Sequence, residues 1–450
     1  MKIKLIVGIG LLFASISGFS RGIYVDPLNG SDEASGNKKE PYKTIKKAMS
    51  IVAPGDTINL LPMIYHESID FYGKKSGTKD KPIVVDGHGA IIDGAVPLDA
   101  ANWEKVGNGL YRNTNLPKIY GFDVTRWGFF FDDLINRMNR TSKGFKAPLK
   151  LPSELNNNEW TYKEDEKAFY IKIDASKNIA NCNIKAPMLV NGVGFGGCSY
   201  ITIKNITSTR VINDGYNIHG DCVGLYFENI ASMHCGDDGF SAHENSVVKV
   251  KGFTSIDNST GVCSINNSCS DMSDVLIKDC IAFDILFPDG GVNTFHNCVI
   301  LSSSQNGISV GSRPDANLFS TLIFDNLLVI RKNKPGEVRA SKGGTLKMNR
   351  ASLWGFSIIN NGAATITRTI VSGSFNSVLK INNVAQWKAE DNRYGVDIIE
   401  INNMMLKQPD FDKYKRLTAQ DLNSTWEIDQ VEPGKTYKNA GADFKLLPKY

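Results

Sequence analysis

"NDGYNIHG" (residues 213–220) and "DDGFSAHE" (residues 237–244) repeat one phrase, and the spacing of that phrase decides the fold. It recurs as "NGVGFGG" from Asn191, "STGVCSIN" from Ser259 and "QNGISVGS" from Gln305. The residues before the first glycines are Asn191, Asp214, Asp238, Thr260 and Asn306, so the steps are 23, 24, 22 and 46. The last step spans two coils, with "PDGGVNTF" from Pro288 as the irregular one between them. A second strand-like run recurs in the intervals: "CSYITIKNI", "CVGLYFENI", "NSVVKVKGF" and "MSDVLIKDC". Short β-branched and aromatic strands at a fixed period, with Gly, Asn and Asp at the corners, predict an all-β solenoid. No segment of this region keeps the 3.6-residue apolar stripe of a helical repeat.

The pattern resembles the right-handed parallel β-helix of the pectin-lyase-like carbohydrate-active enzymes, in which each coil is about this long and carries three short strands. The stretch "PYKTIKKAMSIVAPGDTINLLPMIYHESI" looks like the start of such proteins, where a short amphipathic helix covers the open end. Ile45, Ala48 and Ile51 supply its apolar face, and Pro54-Gly55-Asp56 stops it. The expected organisation is a signal peptide over 1–20, an N-terminal cap with the first coils over 21–102, and a β-rich insertion over 103–173. The main parallel β-helix follows over 174–401, with a C-terminal tail or cap over 402–450.

Residues 1–20 have two early lysines, an apolar stretch from Leu5 to Ile16 and small residues up to Ser20, the build of a secretory signal peptide. The chain is therefore expected to be secreted or periplasmic. No later window approaches the roughly 18 consecutive apolar residues of a membrane helix, so no membrane insertion is expected. With 51 basic and 47 acidic residues, net +4, there is no basic block to hold nucleic acid. Eight cysteines show no CxxC pair, which argues against a zinc or redox motif. The repeat puts Cys280 and Cys298 in an inward slot with Ile206, Ile230 and Phe253, and stacks Cys198 on Cys222, so buried free thiols are expected.

Strand alternation sorts the phrase into faces. Val193 and Phe195, Tyr216 and Ile218, Phe240 and Ala242, Ile308 and Val310 share the inward parity. Asn217 and His219, Ser241 and His243 take the outward one, on neighbouring coils. Asp214 and Asp238 stack at the corner before the strand with Asp237 beside them, while Glu244, Asn245 and Asp221 lie beyond its far end. Asp-Gly corners also serve as plain turns. Stacked like charges nevertheless cost energy unless something neutralises or uses them.

Paired carboxylates on a β-helix flank suit glycoside hydrolysis, one protonating the leaving oxygen while another activates water or attacks the sugar. Asn213-Asp214-Gly215 and Gly236-Asp237-Asp238 partially resemble the motifs of the polygalacturonase-like glycoside hydrolase family 28. That resemblance implies Asp237 as general acid, with Asp214 and Asp238 holding the water. The chain departs from it at Ser259-Thr260-Gly261, where the family has Gly-His-Gly, and lacks an Arg-Ile-Lys motif. His219 and His243 are then expected to handle protons or hydroxyls. Asn217, Ser241, Glu244, Asn245, Arg313 and Trp127 are the substrate-binding candidates, Trp127 and Phe129 to Phe131 as a wall overhanging the sheet. No metal or cofactor is expected for a hydrolase. The alternatives are a polysaccharide lyase, with calcium on the acids and Arg313 as its basic partner, and a non-catalytic carbohydrate-binding or adhesion solenoid. The partner in each case is a polysaccharide or oligosaccharide.

Overall fold

The computed structural model describes residues 20–72, 75–116, 124–313, 318–331, 335–372, 377–427 and 440–450. The expected signal peptide lies outside these residues but for Ser20. The chain winds into a parallel β-helix. One sheet of twelve strands runs from Ile69–Tyr72 through Val193–Gly196, Tyr216–His219, Asp238–Ala242 and Thr260–Ser264 to the far end. Tyr216 pairs with Phe240 and Asn217 with Ser241, so successive phrases lie in register. A second, sixteen-stranded sheet carries the intervening runs, such as Ile201–Thr209, Leu225–Met233 and Val247–Ile256.

The longer strands fold over a stacked corner. Asn205, Asn229, Gly252, Asp274, Asn297 and Asn326 occupy equivalent places, each with φ between +50 and +77°. Asn, Asp and Gly tolerate that left-handed conformation. Asn229 Nδ2 donates to Asn205 Oδ1 at 2.9 Å and Asn326 Nδ2 to Asn297 Oδ1 at 3.0 Å, tying corner to corner.

All eight residues assigned to the inward parity are buried in one continuous core. Phe71 stacks on Phe195 with centroids 5.4 Å apart, and Tyr216 on Phe240 at 6.1 Å. Each such side chain contributes about 1.5–3 kcal/mol on burial. The glycine of the repeated phrase has a reason other than a turn. A Cβ on Gly192, Gly215 or Gly239 would lie 1.8, 2.1 or 2.6 Å from the Oγ of Ser208, Ser232 or Ser255, the serine across the same coil. Close approach inside the coil, not a left-handed φ, demands glycine there.

The helix Ile45–Ile51 covers the first coil, its Thr44 hydroxyl accepting from the Lys47 N–H at 3.0 Å. It buries Ile45, Ala48 and Met49; Ile51, expected in the stripe, is only partly buried. At the other end the antiparallel strand Met404–Leu406 and the helix Phe411–Thr418 close the core, Trp387 Nε1 donating to Tyr414 OH at 3.0 Å. Residues 441–443 return to the body: Gly441 N donates to Arg368 O at 2.8 Å and Ala442 N to Ser352 Oγ at 2.9 Å. Asp443 N donates to Asn326 Oδ1 at 2.6 Å and Asn326 Nδ2 to Asp443 O at 3.1 Å.

The insertion holds two four-stranded sheets. One takes in Ala95–Pro97 and Ile184–Pro187, which the sequence analysis assigns to the solenoid on either side. Trp127 and Phe129 to Phe131 do not overhang the sheet. They are at most 6% exposed, and Trp127 and Phe129 pack with Trp160 and Phe169 in the insertion's own core. Trp127, Phe129 and Phe131, outside the repeat, join Trp160, Tyr162 and Phe169 in enough apolar surface to build a separate core. All eight cysteines are free. Cys298 takes the inward slot expected of it, while Val275, not Cys280, fills the slot one coil earlier. Among the described residues no helix is long and apolar enough to cross a membrane.

Candidate functional site: a buried carboxylate cluster

The register that stacks Tyr216 on Phe240 also stacks Asp214 on Asp238, whose N–H donates to Asp214 Oδ1 at 2.9 Å. Asp237 joins them, and oxygens of the three carboxylates lie within 4.8 Å of one another. All three are 2–4% exposed, where the sequence analysis places them on an open sheet. The insertion lies over them. Lys143 Nζ sits 2.6 Å from Asp238 Oδ1 and also bonds Asp237. Arg126 Nη2 lies 3.2 Å from Asp237 Oδ2 and donates to Asn213 Oδ1. Ser142 Oγ bonds Asp237 and lies 2.9 Å from Ser259 Oγ. A Cβ on Gly236 would meet the Ile212 carbonyl at 2.1 Å and the Arg126 carbonyl at 2.3 Å, so this glycine admits both the neighbouring coil and the covering segment.

These surroundings pull the three acids apart. Burial, then the charges of Asp238 and Asp237, hold Asp214 well above the ordinary carboxylate range. Asn217 Nδ2 and Asn213 Nδ2 both donate to its Oδ2, at 2.6 and 3.0 Å. Burial also works to raise Asp237, but Lys143 and Arg126 outweigh it and hold the acid below its usual value. Burial and the Asp237 charge push Asp238 up to about 6. Lys143 is opposed by burial, yet the Asp238 and Asp237 carboxylates keep its pKa well above an ordinary lysine.

A chain of hydrogen bonds leads outward. Ser241 Oγ donates to Asp238 Oδ2 at 3.1 Å and lies 2.8 Å from His243 Nε2. The His243 ring stacks on His219, centroids 4.1 Å apart, and burial followed by the neighbouring imidazole lowers its pKa to about 4. His219 Nδ1 lies 3.2 Å from Glu244 Oε2, which also accepts from the Gly220 N–H at 2.8 Å. Ligand atoms of His219, His243 and Glu244 also lie within 4.8 Å of one another. A divalent cation on the aspartates would have to compete with the Lys143 ammonium for Asp237 and Asp238.

The structure thus brings together Asp214, Asp237, Asp238, Asn217, Ser241, His243, His219 and Glu244. It leaves out three candidates. Asn245 Nδ2 donates to Asp221 Oδ1 at 2.8 Å, in the polar ladder beyond the strand. Arg313 Nε donates to the buried Asp289 Oδ1 at 2.7 Å, so it is committed one step away as a structural pair. Trp127 is core. The cations that do meet the acids, Lys143 and Arg126, come from the insertion and had no mark in the repeat. Tyr72, whose OH lies 3.5 Å from Asn217 Oδ1, comes from the first strand of the sheet.

A family profile described as a protein of unknown function, DUF1565, matches residues 28–72, the cap and first coil. The uncharacterized protein YwoF of Bacillus subtilis (strain 168) is 34% identical over 116 residues, 25% of this chain and 22% of that protein. The match thus spans about a fifth of that relative's length. Two solved structures share the shape: a complex of XylC with xylose (TM-score 0.51, 13% identity, 84% of this chain and 75% of that one) and a protein titled glycoside hydrolase (TM-score 0.50, 11% identity, 95% and 100%). At such identities the likeness is one of fold. Strand order, register and these shapes define the fold as a parallel β-helix. Its distinguishing part is three buried acids held under two insertion cations.

Proposed function

We propose that the protein is an exported carbohydrate-active enzyme that hydrolyses a glycosidic bond with this cluster. The observation that carries the proposal is the charge count: among the described residues three buried carboxylates face Lys143 and Arg126, which meet Asp237 and Asp238 and leave Asp214 without a cation. In a buried site that imbalance favours retention of a proton. A retained proton beside an ionised carboxylate is what acid-assisted cleavage of an acetal needs.

Asp214 keeps the unbalanced proton and stays neutral; Asp238, raised to about 6, gives up and regains its own proton near neutrality and is the better general acid, and Asp237, held ionised by two cations, is the group to activate water or meet the developing positive charge. This exchanges the roles implied by the polygalacturonase resemblance. Asp214 holds the cluster through Asn213, Asn217 and the Asp238 N–H. Ser241 links Asp238 to His243, whose ring reaches the partly open rim, and provides a route for replacing the proton after each turnover. Lys143 makes a poor lyase base, since its carboxylate partners keep it protonated.

The test incubates the purified protein with plant, algal and host polysaccharides, with and without EDTA, following reducing ends and absorbance at about 235 nm together. New reducing ends without absorbance, lost in Asp238→Asn by about 10²–10⁴-fold, are expected. Absorbance that rises and is abolished by EDTA would replace hydrolysis with β-elimination on calcium-bound acids.

A further inference from the structure

Tyr72 stands beside the cluster as an aromatic ring about half exposed, at 48%. Its position is built by two other residues. On the paired strand, Gly194 faces Asp70 and Gly196 faces Tyr72. A Cβ on Gly194 would lie 2.6 Å from Tyr72 Cε2, and one on Gly196 would lie 2.5 Å from Tyr72 Cδ1. The two contacts fall on opposite edges of the ring, so the ring lies across both glycines. Any side chain at either place would lift it. Neither glycine has the left-handed φ that would require glycine for the backbone's sake. The pair in "GVGFGG" therefore serves as a floor on which one face of the ring rests, and the other face is open.

We propose that Tyr72 on Gly194 and Gly196 is a sugar-stacking subsite for a neutral pyranose, next to the bond that the cluster cleaves; the adjacency rests on the hydrolase reading above. An open aromatic face binds the C–H face of a pyranose ring by dispersion and burial of apolar surface. Its neighbours set the position. The hydroxyl lies 3.5 Å from Asn217 Oδ1, and Asn217 in turn donates to Asp214. On the same outward row, Gly196 is followed by His219, whose Nδ1 faces Glu244. The charges set the class. Asp70 stands beside the ring, its Oδ1 2.9 Å from where a Cβ on Gly194 would lie, so a uronate would meet repulsion that a neutral hexose or pentose does not.

Affinity electrophoresis of the full chain through gels holding xylan, mixed-linkage β-glucan, arabinogalactan or polygalacturonate tests this. At least one neutral polymer should retard the protein; Tyr72→Ala should weaken that retardation about tenfold or more and Tyr72→Phe should preserve it, since the open face rather than the hydroxyl does the binding. Equal retardation of wild type and Tyr72→Ala, retardation by polygalacturonate in place of the neutral polymers, or retardation by none of the four would each overturn the subsite. Tyr72-dependent binding to a neutral polymer, with no turnover of any substrate, would sink the hydrolase reading and leave the subsite standing.

Discussion

Replacing Lys143 by methionine removes the one charge that touches two of the buried acids and leaves most of its apolar stem. At an effective dielectric of about 20, an ammonium about 3 Å from a carboxylate charge gains about 5–6 kcal/mol, and Lys143 has two such partners. Most of this is returned by the desolvation of the ammonium itself, and breaking a buried pair typically costs about 3–5 kcal/mol. That range is the expected loss for Lys143→Met at pH 8. It should depend on pH with a definite sign. Without Lys143 the folded-state pKa of both Asp237 and Asp238 rises, and Asp238 already stands at about 6. A carboxylate raised in the folded state penalises folding above that pKa, and the penalty fades as pH falls through it and the group is protonated. The thermal midpoint of Lys143→Met should therefore fall well below wild type at pH 8 and approach it at pH 5, with proteolysis near residues 137–150 faster at the higher pH. An equal deficit at both pH values, or none at pH 8, would show that Lys143 does not neutralise the cluster.

The remaining predictions concern catalysis and packing. Activity should follow a bell-shaped pH profile, falling as pH rises through about 6 when Asp238 loses its proton, and falling again below the usual carboxylate range when Asp237 gains one. A profile flat from pH 5 to 8 would rule out that division of roles. Ser241→Ala should cut the route from His243 to Asp238, lowering kcat while leaving KM nearly unchanged in initial-rate measurements. Gly236→Ala should push away the Ile212 and Arg126 carbonyls, which its Cβ would meet at 2.1 and 2.3 Å, and lower both the thermal midpoint and the activity. Trp160→Ala should destabilise the insertion core by about 3–5 kcal/mol, measured as a drop in the thermal midpoint.

The solenoid was legible because every coil repeats the same local demand. Inward residues alternate with outward ones, and the phrases align to within a residue, so Tyr216 on Phe240 and Asp214 on Asp238 follow from counting. Counting does not show what lies above a sheet. The cover over the acids comes from residues 126–143, whose contacts to Asp237 and Asp238 span more than ninety positions. Nothing local in "TSKG" marks Lys143. Trp127 was misread for the same reason: an aromatic run outside a repeat can wall a cleft or fill a core, and only tertiary pairing with Trp160 and Phe169 decides. The glycines of the phrase read as turn residues, whereas what demands Gly215 is a clash with Ser232 from across the coil, which turn statistics do not register. Tyr72 was missed because its partners, Gly194 and Gly196, lie more than a hundred residues away in sequence and are silent by composition.

The return of residues 441–443 to Asn326, Ser352 and Arg368 bears on the order in which the molecule is made. A stack of coils in which each touches only its neighbours gains stability step by step and has no natural point of completion. Here Asp443 exchanges two hydrogen bonds with Asn326, 117 positions earlier. Ala442 is buried against Leu328, on the same strand as Asn326, and Val299 of the coil before it. The outer flank of those coils therefore stays uncovered until the last of these residues has left the ribosome. During synthesis the array can wind up early, but it is fastened across its side only once residues 441–443 have been made.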